Sequence, residues 1–220
     1  MDSTDIVTRR PLKSRGTKWA GAIARRLTQA GVRPNTISVA SVGFAALAGG
    51  CLWLAGQAAE PWQWSVLLVL AAVGMQLRLL CNLFDGMVAV EGGFRTKSGE
   101  LYNELPDRFS DALILAGAGY SVPEFPWTQE LGWLAAVLAV TTAYVRALGA
   151  SAGAAQQFVG PMAKPQRMAV MTAACLLAAF APLWAPFARA LPVALAVIVA
   201  GCFVTIFRRC GRIIRELEAR

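Results

Sequence analysis

The sequence predicts an all-α, polytopic membrane protein with six transmembrane helices preceded by an amphipathic surface helix. Three observations support this. Hydrophobic residues fill 56% of the 220 positions and charged ones only 15%, a balance too apolar for a water-soluble domain of this length. The apolar residues gather into runs of about 20, each able to cross a hydrocarbon core of about 30 Å. The Lys and Arg residues behind the net charge of +8 cluster in alternate connectors, as they do in polytopic chains.

Residues 1–34 begin polar and basic and lack the short apolar core of a signal peptide, so the N-terminus is expected in the cytoplasm. Within them Leu12, Trp19, Ile23 and Leu27 recur at helical spacing among Lys13, Arg15, Lys18, Arg25 and Arg26. That pattern belongs to a helix lying on the membrane surface, as an anchor or as a lid. A membrane domain over residues 35–210 follows, with spans expected at 35–57, 62–90, 98–121, 131–149, 168–187 and 191–207, and residues 211–220 form a cytoplasmic tail. Gly, Pro and polar residues punctuate the connectors. Arg33, Arg95, Lys97, Lys164, Arg167, Arg208, Arg209, Arg212 and Arg215 all fall on one side, against Arg189 with Glu60, Glu124 and Glu130 on the other. The positive-inside rule therefore puts both termini in the cytoplasm, at the inner membrane if the chain is bacterial. Gly49, Gly50, Gly117 and Gly119 are expected to allow close helix packing.

The basic clusters sit beside apolar runs, which favours anionic membrane lipids over nucleic acid as partners. With no histidine in the chain, Ser-His-Asp hydrolysis and His-ligated metals are excluded. Cys51, Cys81, Cys175, Cys202 and Cys210 form no CxxC or CxxH pair, so they read as small core residues. Chemistry must rest on carboxylates, cations or a metal.

The informative stretch is NLFDGMVAVEGGFRTKSGELYNELPDRFSDA, from Asn82 to Ala112. It puts Asp85 in the second span and Glu100, Glu104, Asp107 and Asp111 in the third. An ionised residue at the bilayer centre costs about 2.5–3.5 kcal/mol on insertion scales, so such a group must be paired, metal-bound or in a wet cavity. At 100° per residue Arg78, Asn82, Asp85, Gly86 and Ala89 share one face, and Glu100, Asn103, Glu104, Asp107 and Asp111 another. If the two helices are antiparallel neighbours, counting sets Asp85 level with Glu104, Asn82 with Asp107 and Arg78 with Asp111. Asp107 then lies about 12 Å in from Gly99 and Asp111 about 18 Å, in the cytoplasmic half. Clustered carboxylates and carboxamides suit Mg²⁺ or Mn²⁺, hard cations that hold phosphates. Gly86 and Ala89 leave room for a ligand or for a neighbouring helix, and Pro106 frees the Tyr102 carbonyl beside the acids.

These residues resemble the pattern D-x2-D-G-x2-A-R-x8-G-x3-D-x3-D of the CDP-alcohol phosphatidyltransferases. The spacing is kept through Asn82, Asp85, Gly86, Ala89, Val90, Gly99, Asn103 and Asp107, and GVRPNTIS, which contains Asn35, is similar to the family's GVTPNxxT. The resemblance implies that Asp85 is a metal ligand and Asp107 a ligand or general base, and that Gly86, Ala89, Gly99 and Asn35 adjoin the substrate. It implies a CDP-linked donor such as CDP-diacylglycerol, an alcohol acceptor, Mg²⁺ or Mn²⁺ and, with the small-residue faces, a homodimer.

The departures are Asn82, Val90 and Asn103, where the family has Asp, Arg and Asp. The two carboxamides still offer carbonyl oxygens but each removes a negative charge. Glu104 is then a substitute ligand or a salt-bridge partner of a loop cation. Asp111 either neutralises Arg78 or serves as a further ligand. Arg78 and Arg146 suit donor phosphates, and Lys164 and Arg167 suit an acceptor phosphate or headgroup, unless they report topology alone. The expected reaction is phosphatidyl transfer with release of CMP in phospholipid synthesis. The alternatives are a catalytically impaired CDP-lipid-binding relative, prompted by the two asparagines, and an ion or proton transporter, prompted by intramembrane charge.

Overall fold

A computed structural model of the chain describes residues 17–93 and 99–219, apart from the side chains of Glu100 and Asn103. The expected roles of Leu12, Lys13, Arg15, Arg95, Lys97 and the Asn103 side chain lie outside the described residues. All regular structure within them is helical: α1 (Lys18–Gln29), α2 (Pro34–Ala55), α3 (Pro61–Glu91), α4 (Gly99–Gly119), α5 (Thr128–Ser151), α6 (Lys164–Ala179), a 3₁₀ turn (Ala185–Arg189) and α7 (Ala190–Glu218). Proline stands in the first turn of α2, α3 and α6, where its fixed φ suits a helix and its missing N–H costs nothing. At α3 a capping box adds to this: the Gln63 side chain accepts from the Glu60 amide at 3.4 Å, satisfying a donor the helix cannot.

Helices α2 to α7 close a ring in the order α2, α3, α6, α7, α5, α4. The apolar core fills one end of the ring. Leu52, Leu68, Met75, Ile114, Leu115, Met171, Leu195 and Ile198 are wholly buried there. At the other end the helices present Ser38, Asp85, Asp107 and Arg167, all buried. Helix α1 lies against that polar end, with Ala20 and Ala24 packed on Leu83, Met87 and Val88 of α3 and Trp19 edge-on to Phe84 at 6.1 Å.

The second and third expected spans prove not to be close neighbours. Helices α3 and α4 each pack on α2 instead, because glycine lets the α2 backbone approach both. A Cβ on Gly49 would run into the Leu113 carbonyl, and one on Gly117 into the Gly49 carbonyl. Gly50 has nothing near it, so only part of the expected glycine set serves packing. The wedge of α2 leaves a gap between α3 and α4 that long polar side chains span.

Among the described residues four helical segments are long and apolar enough to cross a membrane, Pro34–Ala55, Pro61–Glu91, Thr128–Ser151 and Ala185–Glu218, consistent with a multi-pass protein. Helix α4 falls short by its acidic residues, and α6 by its 16-residue length, about 24 Å at 1.5 Å per residue. The expected 168–187 span starts earlier, at Lys164, and stops at Ala179, ahead of Pro182 and Pro186, which cannot continue a helix. The last helix runs unbroken through most of the expected tail to Glu218.

Replacing Gly49 by Val is expected to destabilise the bundle by about 1–3 kcal/mol through overpacking. A clear drop in the thermal unfolding midpoint of the detergent-solubilised protein would register it. Gly50→Val should leave that midpoint nearly unchanged; equal effects of the two would contradict the wedge.

Candidate active site

The site is built on the α3 face that carries Arg78, Asn82 and Asp85 and the α4 face that carries Asp107 and Asp111. Asp111, 1% exposed, accepts from Arg78 Nη2 at 2.8 Å through Oδ1 and from Arg167 Nη2 at 2.5 Å through Oδ2. One carboxylate thereby ties α4 to α3 and to α6. Arg167 also donates from Nη1 to the Met162 carbonyl at 2.8 Å and to Thr142 Oγ1 at 3.4 Å. The Nε and Nη1 atoms of Arg78 are buried with no hydrogen-bond partner. Arg78 is thus positioned by Asp111 while keeping unused donor capacity.

One turn earlier on α4, Asp107 is also fully engaged. Its Oδ1 accepts from Asn82 Nδ2 at 2.8 Å and Arg78 Nη2 at 3.3 Å, and its Oδ2 from Lys164 Nζ. Counting had set Arg78 level with Asp111 and Asn82 with Asp107, and both pairs meet as hydrogen bonds across the gap. The third expected pair does not. Asp85 turns to α2, where Ser38 Oγ donates to its Oδ2 at 2.8 Å, and Glu104 turns outward to Arg108 at 2.9 Å and Arg146 at 2.6 Å. The α2 wedge is the physical cause, since it stands closer to Asp85 than α4 does in sequence register.

Asp85 is 4% exposed, and its Oδ1 is buried without a hydrogen-bond partner. Its carboxyl lies close enough to Lys164 and Asp107 to interact electrostatically with both. Gly86 and Ala89 follow it on α3, both half-buried, and Gly99 opens α4. Asn35 occupies the first turn of α2, half-buried, one turn before Ser38. Among the described residues no three His, Cys, Asp or Glu side chains gather closely enough to hold a metal by themselves.

Lys164 is positioned by the segment before α6, which α7 fastens. Arg209 donates to the carbonyls of Val159 at 3.0 Å and Thr142 at 2.5 Å. Glu216 accepts from the Ala155 amide at 2.7 Å and from Gln157 at 3.0 Å, and Thr205 Oγ1 from the Met162 amide at 3.0 Å. Arg146 donates to Gln156 at 3.3 Å and stacks 5.1 Å over the Phe158 ring, which sets it at the mouth beside Glu104. Sequence reasoning missed Ser38, Thr142 and Arg209. Ser38 carried a signal as the last residue of the GVRPNTIS stretch; Thr142 and Arg209 looked like a span residue and a topology charge.

No family model matches the chain, and no curated protein matches it in sequence. Solved structures do. One is the Mycobacterium tuberculosis phosphatidylinositol phosphate synthase in complex with manganese and citrate, at a TM-score of 0.74 and 19% identity over 88% of each chain. The same synthase with CDP-DAG bound matches at 0.73 and 20% identity, over 90% of this chain and 94% of that one. A likeness of this extent at such low identity establishes a common fold.

Removing Asp111 should be costly, because Arg167 would lose its counter-charge out of water and Arg78 would keep only its longer contact to Asp107. Asp111→Ala is expected to destabilise the protein by about 3–5 kcal/mol. Thermal unfolding in detergent would read it, and a shift no larger than that of an exposed control such as Glu218→Ala would contradict the role of Asp111.

Proposed function

We propose that this chain is a membrane enzyme of phospholipid synthesis. It would transfer a phosphatidyl group from a CDP-linked lipid, foremost CDP-diacylglycerol, to an alcohol acceptor and release CMP, with Mg²⁺ or Mn²⁺. The observation that carries this is Asp85. A buried carboxylate with an unpartnered oxygen, electrostatically coupled to Asp107 across a polar gap, is a residue that awaits a cation. The shared fold adds support, since the M. tuberculosis synthase was solved with CDP-DAG and with manganese.

The donor set fits a hard divalent cation. Asp85 Oδ1 lacks a partner, and Asn82, whose amide nitrogen is spent on Asp107, keeps its carbonyl oxygen as a ligand atom. Asp107 and Asn103 are the further candidates on α4; Glu104 and Asp111, each held by two guanidiniums, are less available. When bound, the metal supplies charge stabilisation for the diphosphate and the departing nucleotide.

The remaining chemistry belongs to the chain. Asp107 Oδ1 already accepts from Asn82 and Arg78, whereas Oδ2, met by Lys164, keeps a second lone pair with which it can take the acceptor's hydroxyl proton. The acceptor oxygen then bonds to the lipid-bearing phosphorus as the bond to the bridging oxygen breaks, and that electron pair leaves on CMP. Arg78, with two unused donor atoms, and Arg167 brace the acids. Arg146 and Lys164, 15% and 25% exposed, are open to an incoming phosphate or headgroup, and Asn35, Gly86, Ala89 and Gly99 border the same mouth.

The proposal includes six membrane crossings in a domain of residues 35–210, with α4 and α6 crossing as members of the ring beside the four apolar spans. Residues 1–34 would form the basic surface segment, both termini would face the cytoplasm, and two copies would pair as a homodimer. Lys164, Arg167 and Arg209 at the polar end support that orientation. A second reading, a non-catalytic CDP-lipid-binding protein, draws on one observation: both oxygens of Asp107 already have donors.

The deciding experiment measures CMP release from CDP-diacylglycerol by the purified protein, with Mg²⁺ or Mn²⁺ and a panel of alcohols. Release should require the metal, vanish with EDTA and fall at least about 100-fold in Asp107→Asn, the scale of a lost general base. Metal-independent release would refute the proposed chemistry. Tight CDP-lipid binding with no release from any acceptor would select the non-catalytic reading.

A further inference from the structure

We infer that Lys164 serves as a built-in cation of this site, so that the cleft takes one divalent metal ion, on the Asp85 side, and the ammonium occupies the Asp107 side. This rests on the metal-dependent reading above and specifies how that site is charged.

Charge balance is the first support. Among the described residues Asp85, Asp107 and Asp111 are the buried acids, and Arg78, Arg167 and Lys164 are the cations that meet or adjoin them. The three negative charges are matched by three positive ones before any metal arrives. A single divalent ion then leaves a doubly positive site, which suits the two negative charges of a disubstituted diphosphate. A second would leave a large uncompensated excess in a low-dielectric bundle. Asn82 and Asn103 fit this balance, because aspartate at both would add two negative charges and call for a further cation.

Placement is the second support. Lys164 Nζ meets Asp107 Oδ2 and lies within electrostatic range of Asp85, so its charge acts on both carboxylates while its side chain, 25% exposed, still borders the mouth. It is not free to drift. Lys164 is the first residue of α6, and one turn on Arg167 locks that helix to Asp111 at 2.5 Å. The unpartnered Asp85 Oδ1 marks the side where the lysine does not reach. A fixed ammonium can neutralise a phosphate oxygen as a point charge, but it cannot bridge two carboxylates as a metal does.

The test is the stoichiometry of Mn²⁺ binding to the full chain in lipid nanodiscs, by calorimetry and by the paramagnetic resonance signal of free Mn²⁺. The wild type should bind one Mn²⁺ per chain. Lys164→Met should admit a second, or tighten the first at least about tenfold, as expected when a like charge leaves a buried site. Lys164→Arg, which keeps the charge, should still bind one. Two Mn²⁺ in the wild type, or identical binding in Lys164→Met, would overturn the inference. If Lys164→Met fails to elute as a folded species, the wild-type count and Lys164→Arg decide. No Mn²⁺ bound to any form overturns both this inference and the metal-dependent reading, whereas one Mn²⁺ bound without CMP release leaves the cation assignment standing and removes only the transfer reaction.

Discussion

The architecture depends on one carboxylate. Asp111 accepts from Arg78 on α3 and Arg167 on α6, and through these two contacts three helices of the ring are held at fixed separation near its polar end. Neither arginine would be tolerable in a membrane bundle alone, because each would carry an unpaired charge out of water. With Asp111 between them each guanidinium has a counter-charge, Arg78 sharing Asp107 as well, and the next turn of α4 is aligned with α3. The hydrogen bond from Asn82 to Asp107 follows from that alignment.

The second constraint is steric. Gly49 and Gly117 let α2 and α4 touch backbone to backbone, while α3 leans on the opposite side of α2. A bundle with larger residues there would seal the space between α3 and α4 with apolar side chains. Because α2 wedges instead, the gap is spanned only by long polar groups. The opening is therefore a product of helix packing at the apolar end as much as of the acids at the polar end.

Much of this was legible in the sequence. Hydropathy gave the helices, helical periodicity gave the two polar faces, and counting residues across the connector paired Arg78 with Asp111 and Asn82 with Asp107. Counting failed for Asp85 and Glu104, because it assumes two helices in direct contact and cannot register a third helix between them. Ser38 is the residue that reveals the third helix, and although it closes the GVRPNTIS stretch, that stretch does not say which carboxylate it meets. Lys164 and Arg167 were readable as topology charges or as phosphate ligands; that they reach back to α4 depends on how α7 ties down residues 152–163, a contact between segments far apart in the chain. The short α6 escaped because Met168 looks like a span start, whereas Pro165 and Lys164 begin the helix earlier.

The ring order α2, α3, α6, α7, α5, α4 bears on how the protein is made. Helix α3 emerges from the ribosome carrying Arg78, but its counter-charge is 33 residues further on, and the second arginine that completes the set lies 56 residues beyond Asp111. During synthesis, then, a guanidinium reaches the bilayer before the acid that neutralises it, and that acid before its second partner. The polar cluster can therefore close only once α6 has been made, so its completion is a late event in the synthesis of this chain.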